Sequence, residues 1–347
     1  MSKFLILLVY HFYMTKPTFP QVSEHIAKLM GNPEIARQYT PVQGLEELAE
    51  EKPWKGRIET GIQGVERMYG SEIAIIVTNE CAAKCVACIR KNYHKEDVFD
   101  VKDLSELVCY IDRERIKEVL ITGGDPLVRP LLAIDLIQTL SKTQVRHIRI
   151  GTAMFRADPT KISEQLVYLL RDLNKVPGYL EVSPHFDHPA EFTQETTEKI
   201  RQFNEVGIKL YTQTILLKGV NDNPDTFREL SDNIRGCGRM EWHYLFHCVP
   251  VSGNLHLRTS VERGFELIDS LENHEEVTGR HIPKRYVIPL PIGKVYMDPS
   301  RIVGKDGKYL WIETRYTLDS LRGSPLPDFC RQGKKGFLEV KYLDGED

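Results

Sequence analysis

The sequence predicts an α/β protein built as a partial (β/α)6 barrel, with a helical and irregular extension before it and a mixed extension after it. Three observations point there. Six short β-branched, apolar runs follow one another from residue 73 onward, and the stretches between them carry apolar residues at steps of three and four. The runs are apolar on both faces, as strands of a covered parallel sheet must be, and their alternation with helices implies right-handed crossovers. Six units are fewer than a closed eightfold barrel, so an open barrel follows, with its chemistry expected at the C-terminal ends of the strands.

In chain order, residues 1–69 read as the helical and irregular extension. The apolar run Phe4 to Tyr10 is far shorter than the roughly 20 residues that span a bilayer, and no small-residue cleavage site follows it. It reads as an N-terminal packing segment, although Met14 would also serve as a start. The barrel is expected over 70–257. Its strands are Ile73 to Thr78, Glu118 to Thr122, Ile148 to Thr152, Tyr179 to Ser183, Leu210 to Ile215 and Trp242 to Phe246. Its helices include Leu104 to Arg113, Leu131 to Leu140, Ile162 to Leu173 and Glu195 to Glu205. The C-terminal extension, 258–347, opens with a helix over Val261 to Leu271. Short alternating segments follow around Val287, Val295 and Leu310, and Asp306-Gly307 reads as a hairpin turn.

A net charge of -3 over 347 residues gives no basic field for nucleic acid and no acidic tail. Small-molecule partners, no membrane and a cytoplasmic location are expected. Seven cysteines, an odd number with three of them crowded into eight positions, argue against a secreted disulfide framework. Cys109, Cys237, Cys248 and Cys330 are scattered in apolar or element-terminal contexts and receive no role.

The segment Cys81-Ala-Ala-Lys-Cys85-Val-Ala-Cys88 begins just beyond the first predicted strand. Three thiolates on so short a loop can hold three corners of a 4Fe-4S cluster and leave the fourth iron open for chemistry. Zinc is the rival reading, because His94 would complete a Cys3His set with Cys81, Cys85 and Cys88; inert or redox thiols are a third. After the second strand, Thr122-Gly-Gly-Asp-Pro-Leu127 places two glycines where backbone can approach a ligand closely. There Asp125 can cap the next helix or accept from an amine.

Taken in order, Thr78-Asn-Glu-Cys81, the C-x3-C-x2-C loop, Gly123-Gly-Asp125, His185-Phe-Asp-His-Pro189 and the segment from Gln213 to Asp222 resemble the lysine 2,3-aminomutase family of radical S-adenosylmethionine (SAM), pyridoxal 5'-phosphate (PLP) enzymes. The resemblance covers about residues 65 to 300 and implies a radical SAM barrel. It implies that SAM binds the open iron and yields, on one-electron transfer, a 5'-deoxyadenosyl radical. An electron donor such as a flavodoxin or ferredoxin would supply that electron. It further implies that Gly123, Gly124, Asp125, His185 and Gln213 contact SAM and that Arg90 holds the carboxylate of an amino acid substrate. Lys294, in Pro291-Ile-Gly-Lys294-Val, would be the Schiff-base lysine for PLP.

The chain departs from the family pattern in several places. Met68 and Glu72 stand where basic residues would grip the PLP phosphate, with Tyr69 kept and an arginine shifted to Arg67. Val249 and an apolar stretch around Leu290 stand where two aspartates would hold a distal ammonium. A buried ammonium without a carboxylate is costly, so 1,2-amino migration on an amino acid other than free L-lysine is expected. Cys330 stands alone where some relatives carry a cysteine-rich zinc site; a homo-oligomer is allowed, without that contact. Two alternatives stay open: a family member that has lost PLP and performs another hydrogen abstraction, and a non-catalytic zinc-binding protein.

Overall fold

The computed structural model describes residues 22–42, 58–91, 93–174, 179–274, 282–321 and 325–347; the Phe4 to Tyr10 run and Met14 lie outside them. Two short helices come first, α1 (Glu24–Leu29) and α2 (Pro33–Tyr39). Ser23 caps α1 by accepting from the Ile26 N–H at 3.1 Å, and Asn32 caps α2 at the Ile35 N–H at 3.0 Å, with Pro33 opening the helix.

A nine-stranded sheet follows in strict chain order: β1 (Val65–Glu66), β2 (Glu72–Ile76), β3 (Glu118–Thr122), β4 (His147–Thr152), β5 (Leu180–Pro184), β6 (Lys209–Leu216), β7 (Met240–His247), β8 (Arg285–Leu290) and β9 (Gly293–Tyr296). Strands β2 to β8 are parallel, while β1 and β9 are antiparallel edges. All six predicted strands are present, with bounds within two residues. The parallel sheet runs one strand further than those six, through β8, whose residues the periodicity placed among short tail segments. Pro289 lacks the N–H that a ladder uses and demotes the run locally. Burial of Tyr286, Val287 and Ile288 outweighs that signal.

The sheet has two unlike faces, because side chains alternate along each strand. Ile73, Ile75, Val119, Ile121, Ile148 and Ile150 are buried in one core with Leu107, Ile111, Ile137 and Leu140. These last belong to α3 (Leu104–Glu114) and α4 (Pro130–Leu140); α5 (Met154–Ala157), α6 (Glu164–Leu173), α7 (Gln194–Glu205) and α8 (Pro224–Gly236) continue the helical layer. The intervening residues Glu72, Ala74, Leu120, Arg149, Glu181 and Gln213 are only half-buried. They line the concave side of a curled half-barrel.

After α9 (Val261–Glu272), a second, antiparallel sheet of order β10-β11-β13-β12 forms from β10 (Ile302–Asp306), β11 (Tyr309–Glu313), β12 (Cys330–Gln332) and β13 (Leu338–Leu343). Gly307 takes φ +58° in the β10–β11 turn, the left-handed conformation that the Asp-Gly pair predicted. This sheet is tied to the barrel where His247 Nδ1 meets Tyr342 Oη at 2.6 Å and Arg258 donates to the Leu343 carbonyl at 2.6 Å. Among the described residues, no helix is long and apolar enough to cross a membrane.

Candidate active site

The two glycines after β3 are dictated by backbone contact. A Cβ on Gly123, which has φ +140°, would stand 2.3 Å from the Thr78 carbonyl oxygen, and one on Gly124 would stand 2.0 Å from that of Glu80. That closeness lets Gly124 N–H donate to Thr78 O at 2.6 Å and Asp125 N–H to Glu80 O at 2.7 Å, fastening the stem of the cysteine loop to the β3 turn. Asp125 is wholly buried and caps the turn that follows, accepting from Leu127 N–H at 2.9 Å, Thr152 Oγ1 at 2.8 Å and Ala153 N–H at 2.7 Å. Burial pushes its carboxyl up to about 6 against these hydrogen bonds. Of its two expected roles, the structure displays the cap.

Cys81, Cys85 and Cys88 are free thiols, each half-buried. The N-terminal helices cover the first two. Ile26, Ile35 and Tyr39 of α1 and α2 pack with Ala83, Ala157, Cys81 and Cys85, and the Val86 N–H donates to the Gln38 carbonyl at 2.9 Å. Burial pushes the Cys81 and Cys85 thiols up, and the charge that Cys88 would carry adds to both shifts. Thiols that resist ionisation alone suit an iron site, whose positive metal would stabilise the thiolates. Among the described residues, no three His, Cys, Asp or Glu side chains converge as a site for one metal ion. His94 opens a turn, its N–H donating to Asp97 Oδ2 at 2.9 Å.

A buried ion cluster lies against the same loop. Arg156 of α5 is 3% exposed. Its Nη1 donates to Asp187 Oδ2 at 2.7 Å, Glu191 Oε1 at 3.0 Å and Gln38 Oε1 at 3.0 Å, and its Nη2 to Cys85 Sγ at 3.0 Å. Asp187 Oδ2 also meets His185 Nε2 at 2.9 Å. Burial alone would raise the Asp187 carboxyl, but the charges of His185 and Arg156 outweigh it and hold the group well below its ordinary range. His185, just past the end of β5, is brought beside Gln213, inside β6, in a parallel bridge. Arg156 escaped the sequence reading, since one arginine among Ala153, Met154, Phe155 and Ala157 announces no chemistry; its only trace is that apolar setting.

On the far side of the concave face, Lys294 lies on β9. Gly293 takes φ +127°, a conformation that favours glycine, and a Cβ there would stand 2.2 Å from Tyr316 Oη. The Lys294 N–H donates to Tyr69 Oη at 3.0 Å, and Tyr316 Oη donates to the Lys294 carbonyl at 3.0 Å. Its Nζ lies 5.1 Å from the centre of the Tyr244 ring and 5.9 Å from that of Phe246, and among the described residues it forms no ion pair. Burial lowers its amine, as do the charges of Arg149, Arg315 and Arg90, with Glu72 opposing. An open cavity of about 530 Å³, lined by His243, Tyr244, Glu272, Lys284, Arg285 and Tyr296, lies toward the N-terminal ends of β7 and β8, and Lys294 is not part of its lining.

Arg90 leaves the cysteine loop toward Glu66, with Nη2 to Oε2 at 3.4 Å, and its guanidinium lies over the Tyr93 ring at 5.5 Å. Its Nη1 is buried without a hydrogen-bond partner, a cost unless something else accepts from it. The displaced Arg67 is not free for a phosphate: it donates to Glu114 at 2.7 Å and to Tyr110 at 2.9 Å. Val249 and Leu290 are buried and apolar, as read.

The description "Radical SAM superfamily" matches residues 75–230. A putative L-lysine 2,3-aminomutase from Aquifex aeolicus (strain VF5) is 30% identical over 265 residues, covering 74% of this chain and 69% of that protein. An L-lysine 2,3-aminomutase from Methanococcus maripaludis is 31% identical and a glutamate 2,3-aminomutase from Clostridioides difficile (strain 630) is 31% identical, over 75% and 72% of this chain. The chain spans 60% and 59% of those two proteins. Among solved structures, a radical SAM methyltransferase from Sphaerobacter thermophilus superposes with a TM-score of 0.46 at 18% identity, covering 65% of this chain and 67% of that one.

Proposed function

Because the chain belongs to the lysine 2,3-aminomutase family of the radical SAM superfamily, we propose that it is a radical SAM aminomutase that moves an amino group between adjacent carbons of an amino acid other than free L-lysine. Cys81, Cys85 and Cys88 would hold a 4Fe-4S cluster, with Gly123, Gly124, Asp125, His185 and Gln213 around SAM. When bound, the cluster and SAM supply a carbon radical able to take hydrogen from unactivated carbon, and PLP supplies a carbonyl that carries the migrating amine. A flavodoxin- or ferredoxin-like donor would deliver the electron.

The protein's own part is placement. The unpartnered Arg90 Nη1 would donate to the substrate carboxylate, while Glu66 keeps the guanidinium aimed. Lys294 would hold PLP. Its environment disfavours the ammonium form, so more of the amine is neutral and nucleophilic near neutral pH. The rings of Tyr244 and Phe246 limit water around Nζ, and Arg149 and Arg315, whose charges act on Lys294, would be the cations offered to a phosphate, Arg149 on release from Glu181. No carboxylate replaces Val249 or Leu290, which disfavours a substrate with a distal ammonium.

One observation carries this reading: Arg90, two residues beyond the last cysteine of the loop, holds a buried Nη1 with no hydrogen-bond partner, a donor left over for a carboxylate. The test is product analysis after anaerobic incubation of the reconstituted protein with SAM, PLP, a strong reductant and a panel of amino acids. A β-amino acid from a non-lysine substrate is expected. Protein loaded with iron, SAM and PLP that rearranges no member of the panel would overturn the proposal.

A further inference from the structure

We infer that Arg156 is a positioning residue for the iron–sulfur centre, one that sets its reduction potential through Cys85 and ties it mechanically to His185. The inference rests on the cluster assignment above. Arg156 Nη2 donates to Cys85 Sγ at 3.0 Å, and the side chain is 3% exposed. A hydrogen bond and a full positive charge at a ligand sulfur both favour the more electron-rich, reduced cluster, so Arg156 shifts the couple toward easier reduction.

Two further features separate this guanidinium from an ordinary buried ion pair. Its Nε is buried and has no hydrogen-bond partner, leaving one donor of a rigid fork uncommitted next to the thiol loop. The carboxylate oxygen that accepts from Nη1 at 2.7 Å, Asp187 Oδ2, also meets His185 Nε2 at 2.9 Å. Cys85, Arg156, Asp187 and His185 thus form one continuous chain from a ligand sulfur to the end of β5. Glu191 braces that chain from behind, accepting from Arg156 through Oε1 at 3.0 Å and from the Asp187 N–H through Oε2 at 2.7 Å. A change of charge at the sulfur is felt at His185 without any movement of the sheet.

The experiment is redox potentiometry of the anaerobically reconstituted protein, following the paramagnetic reduced cluster by electron paramagnetic resonance as a one-electron reductant is added. Arg156→Lys keeps the charge and loses the fork. Arg156→Met combined with Glu191→Gln removes one charge of each sign, so that no surplus carboxylate is left buried. The midpoint should move to more negative potential in the double variant and by a smaller step in Arg156→Lys, with iron content unchanged in the latter. Unshifted midpoints in both variants would overturn the inference while leaving the cluster assignment standing. A wild-type protein that takes up no cluster would instead remove the assignment, and the inference with it.

Discussion

The two ends of the concave face are built on opposite physical plans. Around the cysteines, backbone packs on backbone at Gly123 and Gly124, and a buried arginine is shared among two carboxylates, an amide and a thiol. Around Lys294, a lone amine with no ion-pair partner among the described residues faces aromatic rings. The first region trades freedom for a fixed geometry, as thiols that are to share one cluster would require. The second keeps a weakened ammonium with no carboxylate bonded to it, as would suit an amine that exchanges covalent partners.

Glycine substitutions break the comparison most forcefully. Gly124→Ala would drive a Cβ to 2.0 Å from the backbone oxygen of Glu80, which cannot yield without moving the cysteine loop. A loss of about 3 kcal/mol in urea unfolding and poor iron uptake are expected. Gly293→Ala would meet the tip of Tyr316, which can swing aside, so a smaller loss of about 1.5 kcal/mol should be measured there despite its positive φ. Equal losses would show that the two ends are not built differently.

Lys294→Ala comes next and sharpens the contrast from the chemical side. The yellow absorbance of bound PLP and the aminomutase activity should both disappear. Stability should change by less than about 1 kcal/mol, because the amine forms no ion pair among the described residues. A variant that keeps its colour and turnover would show that another residue carries the cofactor.

Acid titration gives the smallest effect, and the two ends should respond with opposite sign. His243 is held down to about 4 by burial and by the charges of Arg149, Lys294 and Lys284, against its ordinary 6.5. The unfolded chain therefore takes up this proton first, and the stability present above pH 6.5 is lost as pH falls toward 4. Asp125, pushed up to about 6 from 3.8, binds its proton first in the fold; its contribution is complete below pH 3.8 and is lost as pH rises through 6. His243→Phe should reduce the acid-side loss between pH 6.5 and 4 by about 1 kcal/mol after solvent screening. Thermal melts across that range check it, and an unchanged slope would contradict it.

The sequence disclosed one end better than the other. The strand bearing Ile73, Ile75 and Ile76, the crowded cysteines and the Gly-Gly-Asp turn are local signals, and each appears where its pattern indicates. What local pattern could not show is anything assembled from distant segments. The Arg156 cluster joins residues 38, 85, 156, 187 and 191, none of which names the others in sequence. Pro289 hid β8 for the opposite reason, because a local breaker was overruled by burial of Val287 and Ile288. Asp125 illustrates a third limit: its residue type allowed two roles, and only the positions of Thr152 and Ala153 decide which one the protein displays.

The helix pair near the N-terminus has a bearing on biosynthesis. Arg37 of α2 donates to the carbonyls of Lys218 and His256 at 2.8 and 2.9 Å, so this clasp cannot shut until the ribosome has delivered most of the polypeptide. Until then Cys81 and Cys85, which these helices cover, stand open on the nascent chain, and closure afterwards would shield a cluster bound there from oxygen and from competing chelators.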